Sequence, residues 1–386
     1  MATNSVGSAF SQDCFACLET TKGTAVYPTT AAQRIVTAGT AEINQQASFT
    51  DSEEIINSLD LLERFQDQMG AGSWSAPMYI RPSGSLGVAP MGGVLLKSLM
   101  GLETIDAGAS VTYAQATTKP SFTLWLRKSH TVFFATGCCC ETGKIGFTNK
   151  GGSMMDLSGG FMQMGWAGTD TLTAAATANA VVVTNAKLFT VGGYVAFGDE
   201  STAAMTNTNA GYKITAVNYT SNTLTMADTI TQDSGTSIQG FLPVQTALGT
   251  PLENKDLAIT FDAVAKNLKS YSVDINSPVA WQTDEITTSG YVTEYVEDRR
   301  QIKIAAEVLF REQDLSYFYD ATQNAKVDVI ATINGDGTAG QKCTINTEFT
   351  ELEVPSVTTS APTISLSIAG TGLGSAGEDS ATIVFT

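Results

Sequence analysis

The sequence predicts a mainly β protein, and three observations support that prediction. The chain holds 35 glycines and only 15% charged residues, a composition that favours strands and turns. Short β-branched and aromatic runs are separated by clusters of turn residues. A series of short motifs also recurs, in the same order, in the second half of the chain. We therefore predict two duplicated β-barrel or β-sandwich domains, each with a short helix, and a small inserted β-barrel module.

The length of 386 residues suits two or three domains. A chain of this size that is 43% hydrophobic buries enough surface to fold without a disulfide or a metal. The pattern predicts four segments, which are an N-terminal arm (1–40), a first domain (41–170), an inserted module (171–243) and a second domain (244–386).

The charge balance disfavours several classes of partner. The chain has 21 Lys and Arg against 38 Asp and Glu, for a net charge of −17. Adhesion to nucleic acid needs clustered cations that contact phosphates, so it is disfavoured, while passive contact with DNA stays open. Residues Met1–Val26 lack the basic start and apolar core of a signal peptide. No stretch approaches the roughly 20 apolar residues of a membrane helix, so we expect cytoplasmic synthesis and no membrane partner.

The histidine and cysteine residues argue against catalytic and metal chemistry. His130 is the only histidine, and we interpret it as a partly exposed strand residue. Cys14 and Cys17 form a C-x-x-C motif with no second pair at zinc-binding spacing. A strand would send consecutive cysteines to alternate faces, which prevents three of them from ligating one ion. We therefore expect small buried thiols, no cofactor and no metal; the cysteines are Cys14, Cys17, Cys138, Cys139, Cys140 and Cys343.

Three segments of the first domain carry local structural signals. Ser121–Ala135 is predicted to be a strand that enters the core. Gly92–Met100 is predicted to be a short helix bounded by glycines. Asp51–Met69 is ambiguous, because its apolar residues have helical spacing while its counterpart in the second half is extended. We predict a mostly extended segment with at most one helical turn, at Ser52–Ile56.

The inserted module is predicted to be a small antiparallel barrel or sandwich of short strands. Its turns contain Asn, Asp and Thr, but no calcium-binding loop with a closing Glu is present, so ordinary turn chemistry is preferred. The predicted strands are Ala180–Thr184, Tyr194–Gly198, Tyr212–Tyr219 and Thr223–Ala227.

The internal repeat is the most informative feature of the sequence. Glu42-Ile43-Asn44 corresponds to Asp274-Ile275-Asn276, 232 residues further on (42 against 274). The elements that follow correspond in the same order: 55–82 with 286–310, the helix at 92–100 with a second short helix at Asp314–Ala321, 122–134 with 326–334, and 153–158 with 363–367. In the second copy, Ser270–Ile275 and Gln301–Phe310 read plainly as strands.

A duplicated β unit is a common way to build a ring from fewer subunits. Three such chains would present six near-equivalent units around one axis, and long hairpins with unprotected edges would close against the neighbouring unit. If DNA slides through the opening, its wall should be acidic or neutral, because each exposed cation would retard passage. The net charge fits that requirement, although acidity also serves solubility.

Several of these motifs resemble those of bacteriophage tail tube proteins (major tail proteins), of the two-tube-domain type found in long, non-contractile tails. The resemblance covers most of the chain outside the inserted module. It rests on Glu42-Ile43-Asn44, Ser52-Glu53-Glu54-Ile55, the Gly70-x-Gly72 turn, the helix Val94–Gly101, Asp284-Glu285-Ile286 and Asp298-Arg299-Arg300. Further support comes from Glu19–Ala25, Thr123–Lys128, Thr136-Gly137-Cys138 and Phe161–Trp166. The cysteine run at 138–140 is not something the family pattern requires.

The resemblance implies a structural role without enzyme activity. It implies trimeric, pseudo-sixfold rings of this chain, stacked into a tube in the virion tail. It also implies assembly with tail-tip, tape-measure and tail-terminator proteins. DNA would pass through the lumen during ejection without specific binding.

The functional residues that we predict are residues of the interface between copies or of the lumen, not catalytic residues. We expect the acids Glu53, Glu54, Asp284 and Glu285 to face the lumen or to pair with Arg299 and Arg300 of a neighbouring copy; as solvated strand charges, each would contribute under about 1 kcal/mol.

Two other classes of function remain as alternatives. A glycan-binding, adhesin-like surface protein would use its tryptophans (Trp74, Trp125, Trp166 and Trp281), but it needs an export signal, and none is visible. A hydrolase would use acid pairs such as Asp51/Glu53/Glu54 or Asp284/Glu285. Neighbouring strand residues point to opposite faces, which disfavours paired catalysis there.

Overall fold

The computed structural model describes residues 12–30, 33–54, 60–198, 211–243, 249–283, 285, 289–335, 337–360 and 362–386. Of these described residues, 52% lie in strands and 8% in helices, so the mainly β class is confirmed.

The strands of the first half are β1 (Gln12–Leu18), β2 (Arg34–Ile35), β3 (Glu42–Asn44), β4 (Phe49–Asp51), β5 (Arg64–Gln66), β6 (Gly72–Tyr79), β7 (Gly101–Asp106), β8 (Ser110–Gln115), β9 (Phe122–Lys128), β10 (Thr131–Cys138), β11 (Thr142–Thr148), β12 (Met154–Phe161) and β13 (Gln163–Ala167). Helix α1 (Gly93–Met100) lies between β6 and β7.

The inserted module contains β14 (Thr169–Thr171), β15 (Ala180–Val182), β16 (Tyr194–Phe197), β17 (Tyr212–Asn218), β18 (Thr223–Met226) and β19 (Ser237–Gly240). The second half contains β20 (Leu257–Phe261), β21 (Val264–Lys266), β22 (Leu268–Asn276), β23 (Val279–Trp281), β24 (Tyr295–Glu297), β25 (Gln301–Leu309), helix α2 (Ser316–Thr322), β26 (Lys326–Asn334), β27 (Lys342–Leu352), β28 (Ser356–Ser360), β29 (Thr363–Gly372) and β30 (Thr382–Phe385).

A five-stranded sheet has the order β13-β10-β9-β1-β2. Strand β1 belongs to the segment predicted as an N-terminal arm, yet it lies inside this sheet, with Cys14–Cys17 buried. Its short apolar residues fit between two neighbours, which turns this part of the segment into a core strand.

A fifteen-stranded sheet runs through both halves of the chain. Its main path is β21-β20-β26-β27-β29-β25-β22-β11-β12-β6-β3, and the halves meet where β11 pairs antiparallel with β22. Near the C-terminus, β30 pairs with β27 on one side and with β8 of the first half on the other. One hydrophobic core accordingly contains residues of both halves.

The module forms a separate six-stranded antiparallel sheet with the order β14-β19-β16-β17-β18-β15. All four strands predicted for it are present, with slightly different ends. For the module and for the two halves we predicted a barrel or a sandwich, and no closed barrel is present among the described residues. In the module the outer strands approach each other only at an isolated bridge between Leu172 and Val183, so no continuous ladder closes the sheet. The module has its own core, which includes Phe189 and Phe197.

Stacked aromatic rings anchor the module to the first half. Tyr27 stacks on Tyr194 of β16 with 3.8 Å between ring centroids, and it meets Trp125 of β9 edge-on at 5.5 Å. The Trp125 indole N–H donates to the carbonyl oxygen of Val26 at 2.8 Å.

Both predicted helices are confirmed. Helix α1 begins after Gly92, at φ 76°, and ends at Gly101, at φ 105°, backbone angles that favour glycine. The apolar side of the helix is fully buried and consists of Leu95, Leu96 and Leu99. The second helix starts as a 3₁₀ turn at Glu312–Leu315 and continues as α2.

Three motifs that the sequence analysis selected, Glu19–Ala25, Thr123–Lys128 and Thr136-Gly137-Cys138, meet at the side chain of Glu19. Its carboxylate accepts hydrogen bonds from the backbone N–H of Gly23 and of Gly137, at 2.8 and 2.9 Å. The hydroxyls of Ser121 and Thr123 donate to the same carboxylate. This network fixes the turn after β1 against β9 and β10.

The ambiguous segment 51–69 forms part of a hairpin. Strands β4 and β5 pair antiparallel, and no helix is present at Ser52–Glu54. The rest of the helical turn predicted at 52–56 lies outside the described residues.

Candidate assembly surface

The two halves join through a regular antiparallel ladder of seven residue pairs. Thr142 lies opposite Asn276 at one end and Thr148 opposite Ser270 at the other. Along one row across this ladder, charges alternate from strand to strand, because Asp156, Lys144, Asp274 and Lys303 are consecutive cross-strand neighbours. Each cation of the row is therefore flanked by a carboxylate, which supports pairing in the sheet.

The strands on the two sides of this joint have similar neighbours. Strands β3, β6, β12 and β11 are adjacent in that order on one side, and β22, β25, β29 and β28 on the other. Asn44 of β3 pairs with Ser73 of β6, and Asn276 of β22 pairs with Gln301 of β25.

Two sheet edges near these sets of strands lack a further strand in the described part of the chain. Strand β3 pairs only with β6, and β28 pairs only with β29. Apolar side chains at the second edge are exposed: Val357 of β28 is 55% exposed and Ile364 of β29 is 44% exposed. Unpaired backbone groups beside uncovered apolar side chains form a template for another strand.

The face of the large sheet that points away from the core carries two open cavities. One has a volume of about 860 Å³ and extends over β11, β12, β22, β25 and β29. The other has a volume of about 560 Å³ and extends towards β3 and β6; both include Lys144 and Asp156. Small residues such as Gly146, Ser272 and Ala305 line this face, so the sheet offers a shallow trough with few projecting side chains.

The hairpin of β23 and β24 packs on the first half. We call it the second-half hairpin (described residues 277–283, 285 and 289–300). The Trp281 indole lies over Gly160, and its N–H donates to the Glu141 carboxylate at 3.2 Å. Tyr295 stands edge-on to Trp281 and donates its hydroxyl to the carbonyl oxygen of Lys119 at 3.3 Å.

The hairpin of β4 and β5 leaves large apolar side chains in solvent. We call this hairpin the arm (described residues 45–54 and 60–70), which is distinct from the predicted N-terminal arm. Phe49 is 49% exposed and Phe65 is 53% exposed, and Leu61 and Leu62 are exposed to a similar extent. The Arg64 guanidinium lies 5.3 Å from the Phe49 ring centre and forms an ion pair with Asp51 at 2.7 Å.

The predicted site residues lie in these two hairpins. Glu53 and Glu54 follow β4 in the arm, and both are exposed. Glu285 is exposed in the second-half hairpin, and Arg299 is exposed just after β24. Asp284 lies outside the described residues. The structure does not bring Glu53, Glu54 or Glu285 into an ion pair with either arginine in the chain as described.

Arg300 is directed into its own chain. Its guanidinium donates to the hydroxyl of Ser277 at 3.1 Å and to the carbonyl oxygen of Ala116 at 2.8 Å. Burial lowers the pKa of Arg300. The arginine therefore ties the base of the second-half hairpin to the loop between β8 and β9 of the first half.

Lys119 is a structural residue that the sequence analysis did not identify. It is 5% exposed, and its ammonium donates to the carbonyl oxygens of Cys140, at 2.9 Å, and Ser277. Burial lowers the pKa of Lys119. No motif marks this role, since a lone Lys between strands usually lies on the surface.

The cysteines are buried and unpaired, as predicted. Cys138 and Cys140 lie in the main core and Cys139 in a smaller cluster with Met162 and Tyr295, so the run does alternate between two environments. Burial raises the pKa of Cys14 and of Cys140 to about 12, which keeps these thiols protonated and unreactive at neutral pH.

The tryptophans and the histidine lie in different surroundings. Trp74 and Trp125 are buried, and Trp166 and Trp281 are half-buried. Each indole N–H donates to an acceptor in the chain itself. His130 is exposed in the turn between β9 and β10 and not in a strand.

Within the described residues, no group of three or more His, Cys, Asp or Glu side chains is arranged to hold a metal ion. The described helices are all too short or too polar to cross a bilayer. No protein-family model matches the sequence, and no curated protein matches it.

Proposed function

We propose that this protein is the structural subunit of a viral tail tube, which self-assembles into stacked rings around a conduit for DNA. The observation that carries the proposal is the continuous sheet across the β11–β22 joint, which leaves β3 and β28 as open edges of two similar strand sets. The rings would contain three copies, and the two halves of each chain would be a duplicated unit.

The internal joint supplies the geometry for contacts between copies. Strand β11 forms a hairpin with β12, and β28 forms a hairpin with β29. Strand β22 pairs with β25, and β3 pairs with β6. Strands β11 and β28 therefore occupy corresponding positions, and so do β22 and β3. If the halves are equivalent, β28 of one copy receives β3 of the next, antiparallel, as β11 receives β22. That pairing covers Val357 and removes both open edges.

The exposed face of the sheet suits a wall along which DNA slides. Lys144 is flanked by Asp156 and Asp274, and Lys303 also lies opposite Asp274. Cations that alternate with carboxylates in this way do not form the phosphate-binding cluster that would retard DNA. Closing three copies would make this face line the lumen.

The wider assembly follows from the family resemblance. The tube would belong to the virion tail and would form on a tail-tip complex, with a tape-measure protein setting its length and a terminator closing it. We propose no enzyme activity, no cofactor and no membrane partner. The adhesin alternative gains no support, because all four indoles bond within the chain.

Electron microscopy of the purified protein, with light-scattering mass in parallel, tests this proposal. Hollow tubes or rings of three copies are the expected result. A monomer that stays monomeric at high concentration, and also after tail-tip complexes are added, would overturn it, and a glycan screen would then be the next experiment.

A further inference from the structure

We propose that the arm of one copy packs against the second-half hairpin of the neighbouring copy, where its acids Glu53 and Glu54 bind Arg299. The inference rests on the proposed ring assembly and specifies which surface of the neighbour the arm contacts. The occupant is a second copy of this chain, and two observations support that choice.

The first observation is a contact between the two hairpins of one chain. The backbone N–H of Met69, at the base of the arm, donates to the carbonyl oxygen of Gly290 at 2.9 Å, and the Gln68 side chain donates to the carbonyl oxygen of Tyr291 at 3.2 Å. The loop of the second-half hairpin thus rests on the base of the arm.

The equivalent position for the arm lies at the base of a second-half hairpin. Ser73 and Gln301 occupy matching places, because they pair with Asn44 and Asn276 respectively. Met69 lies four residues before Ser73, so its counterpart is Glu297, two residues before Arg299. Repeating the internal contact between copies places the acids of the arm beside Arg299.

The neighbour is the same one that the edge pairing requires. In the sheet, β3 lies on the far side of the first half from the β11–β22 joint. The copy that offers β28 to β3 therefore lies next to the arm, and its second-half hairpin extends from β22 and β25. One neighbouring copy thus contacts both the free edge and the arm.

The second observation is complementary charge. The loop between β4 and β5 contains the acids Glu53, Glu54, Asp60 and Glu63 and no cation. Arg299 is exposed, and no ion pair joins it to an acid of the described residues. A carboxylate cluster that meets an unpaired guanidinium favours one partner and one register.

Charge reversal in the full-length chain tests the contact. We expect E53K/E54K and R299E each to raise the protein concentration at half-assembly by about tenfold, and the combined variant to recover most of that loss. D233K and K187E, which reverse exposed charges on the module, are the matched controls and should assemble as the wild type does. Sedimentation velocity at low salt measures the five variants and the wild type.

A cysteine pair gives an independent readout. The variant with both E54C and R299C should form a ladder of disulfide-linked oligomers on mild oxidation, while each single variant forms none, because the native thiols are buried. Wild-type rings together with unchanged assembly of E53K/E54K and R299E would overturn this contact and leave the tube proposal standing. A wild type that never assembles would overturn both.

Discussion

Lys144 of β11 lies directly opposite Asp274 of β22, with 4.0 Å between its Nζ and the carboxylate Oδ1, in the ladder that joins the two halves of the chain. Both side chains are largely exposed, at 60% and 43%. The pair lies where β11 of the first half and β22 of the second half are neighbours on the main path of the large sheet. It therefore shows how a strand of the first half pairs with a strand of the second half.

Reversing one charge of this pair should have a small effect on stability. K144E places three carboxylates in a row with Asp156 and Asp274, and we expect it to lower the free energy of unfolding by about 1 kcal/mol or less, since exposed pairs contribute little. Urea unfolding measures the change. D274K in the same chain should recover part of the loss. If the losses of stability of the two single variants add in the double variant, a direct interaction is excluded.

A charge at the open edge of β28 should block assembly without unfolding the chain. V357K places an ammonium where we propose that β3 of a neighbour pairs, so sedimentation should show monomers at concentrations where the wild type forms rings. The matched control is V264K, because Val264 is also 55% exposed and also lies on an edge strand, β21. Equal assembly of the two variants would contradict the proposed edge.

A methyl group at Gly160 should displace the second-half hairpin. A Cβ atom there would lie 2.5 Å from the Trp281 ring, so we expect G160A to lower the free energy of unfolding by about 1–3 kcal/mol and to change indole fluorescence. Gly146 also lies in a strand of the same sheet, and a Cβ atom there meets nothing within 4 Å. G146A should therefore leave both signals unchanged; an equal loss in the two variants would argue against specific packing at Trp281.

Alkaline pH should destabilise the fold through the buried thiols. The pKa of Cys140 is raised to about 12 by burial, while an unfolded thiol titrates near 9. Between these two pH values the unfolded chain releases a proton that the folded chain keeps. The contribution of the Cys140 thiol to the free energy of unfolding is therefore full below pH 9 and is lost as the pH rises towards 12. C140A should reduce the alkaline slope of the free energy of unfolding by about 1.4 kcal/mol per pH unit. An unchanged slope would show that Cys140 does not contribute.

Local signals in the sequence predicted much of the secondary structure. Helix α1 follows from an apolar stripe between Gly92 and Gly101, and the module strands follow from β-branched runs between turn clusters. The motif 42–44 and its counterpart 274–276 do occupy similar places, each beside the strand that follows its hairpin. These features depend on residues that are close in the chain.

Long-range pairing was less predictable. The N-terminal strand β1 lies between β9 and β2, more than 100 residues from the former, and nothing in its own pattern indicates those partners. The sequence could not decide between a barrel and a sandwich, because alternating strands fit a closed barrel and an open sheet equally well. Arg300 was expected to face a neighbour, but its bonds to Ser277 and Ala116 depend on how two distant loops meet.

The most direct test of the central claim is the mass and shape of the purified protein, by sedimentation velocity and electron microscopy, with and without added tail-tip complexes. We expect rings of three copies that show six similar units around a central opening and stack into hollow tubes. A particle of one chain under all of these conditions, or a closed oligomer without a central opening, would contradict it.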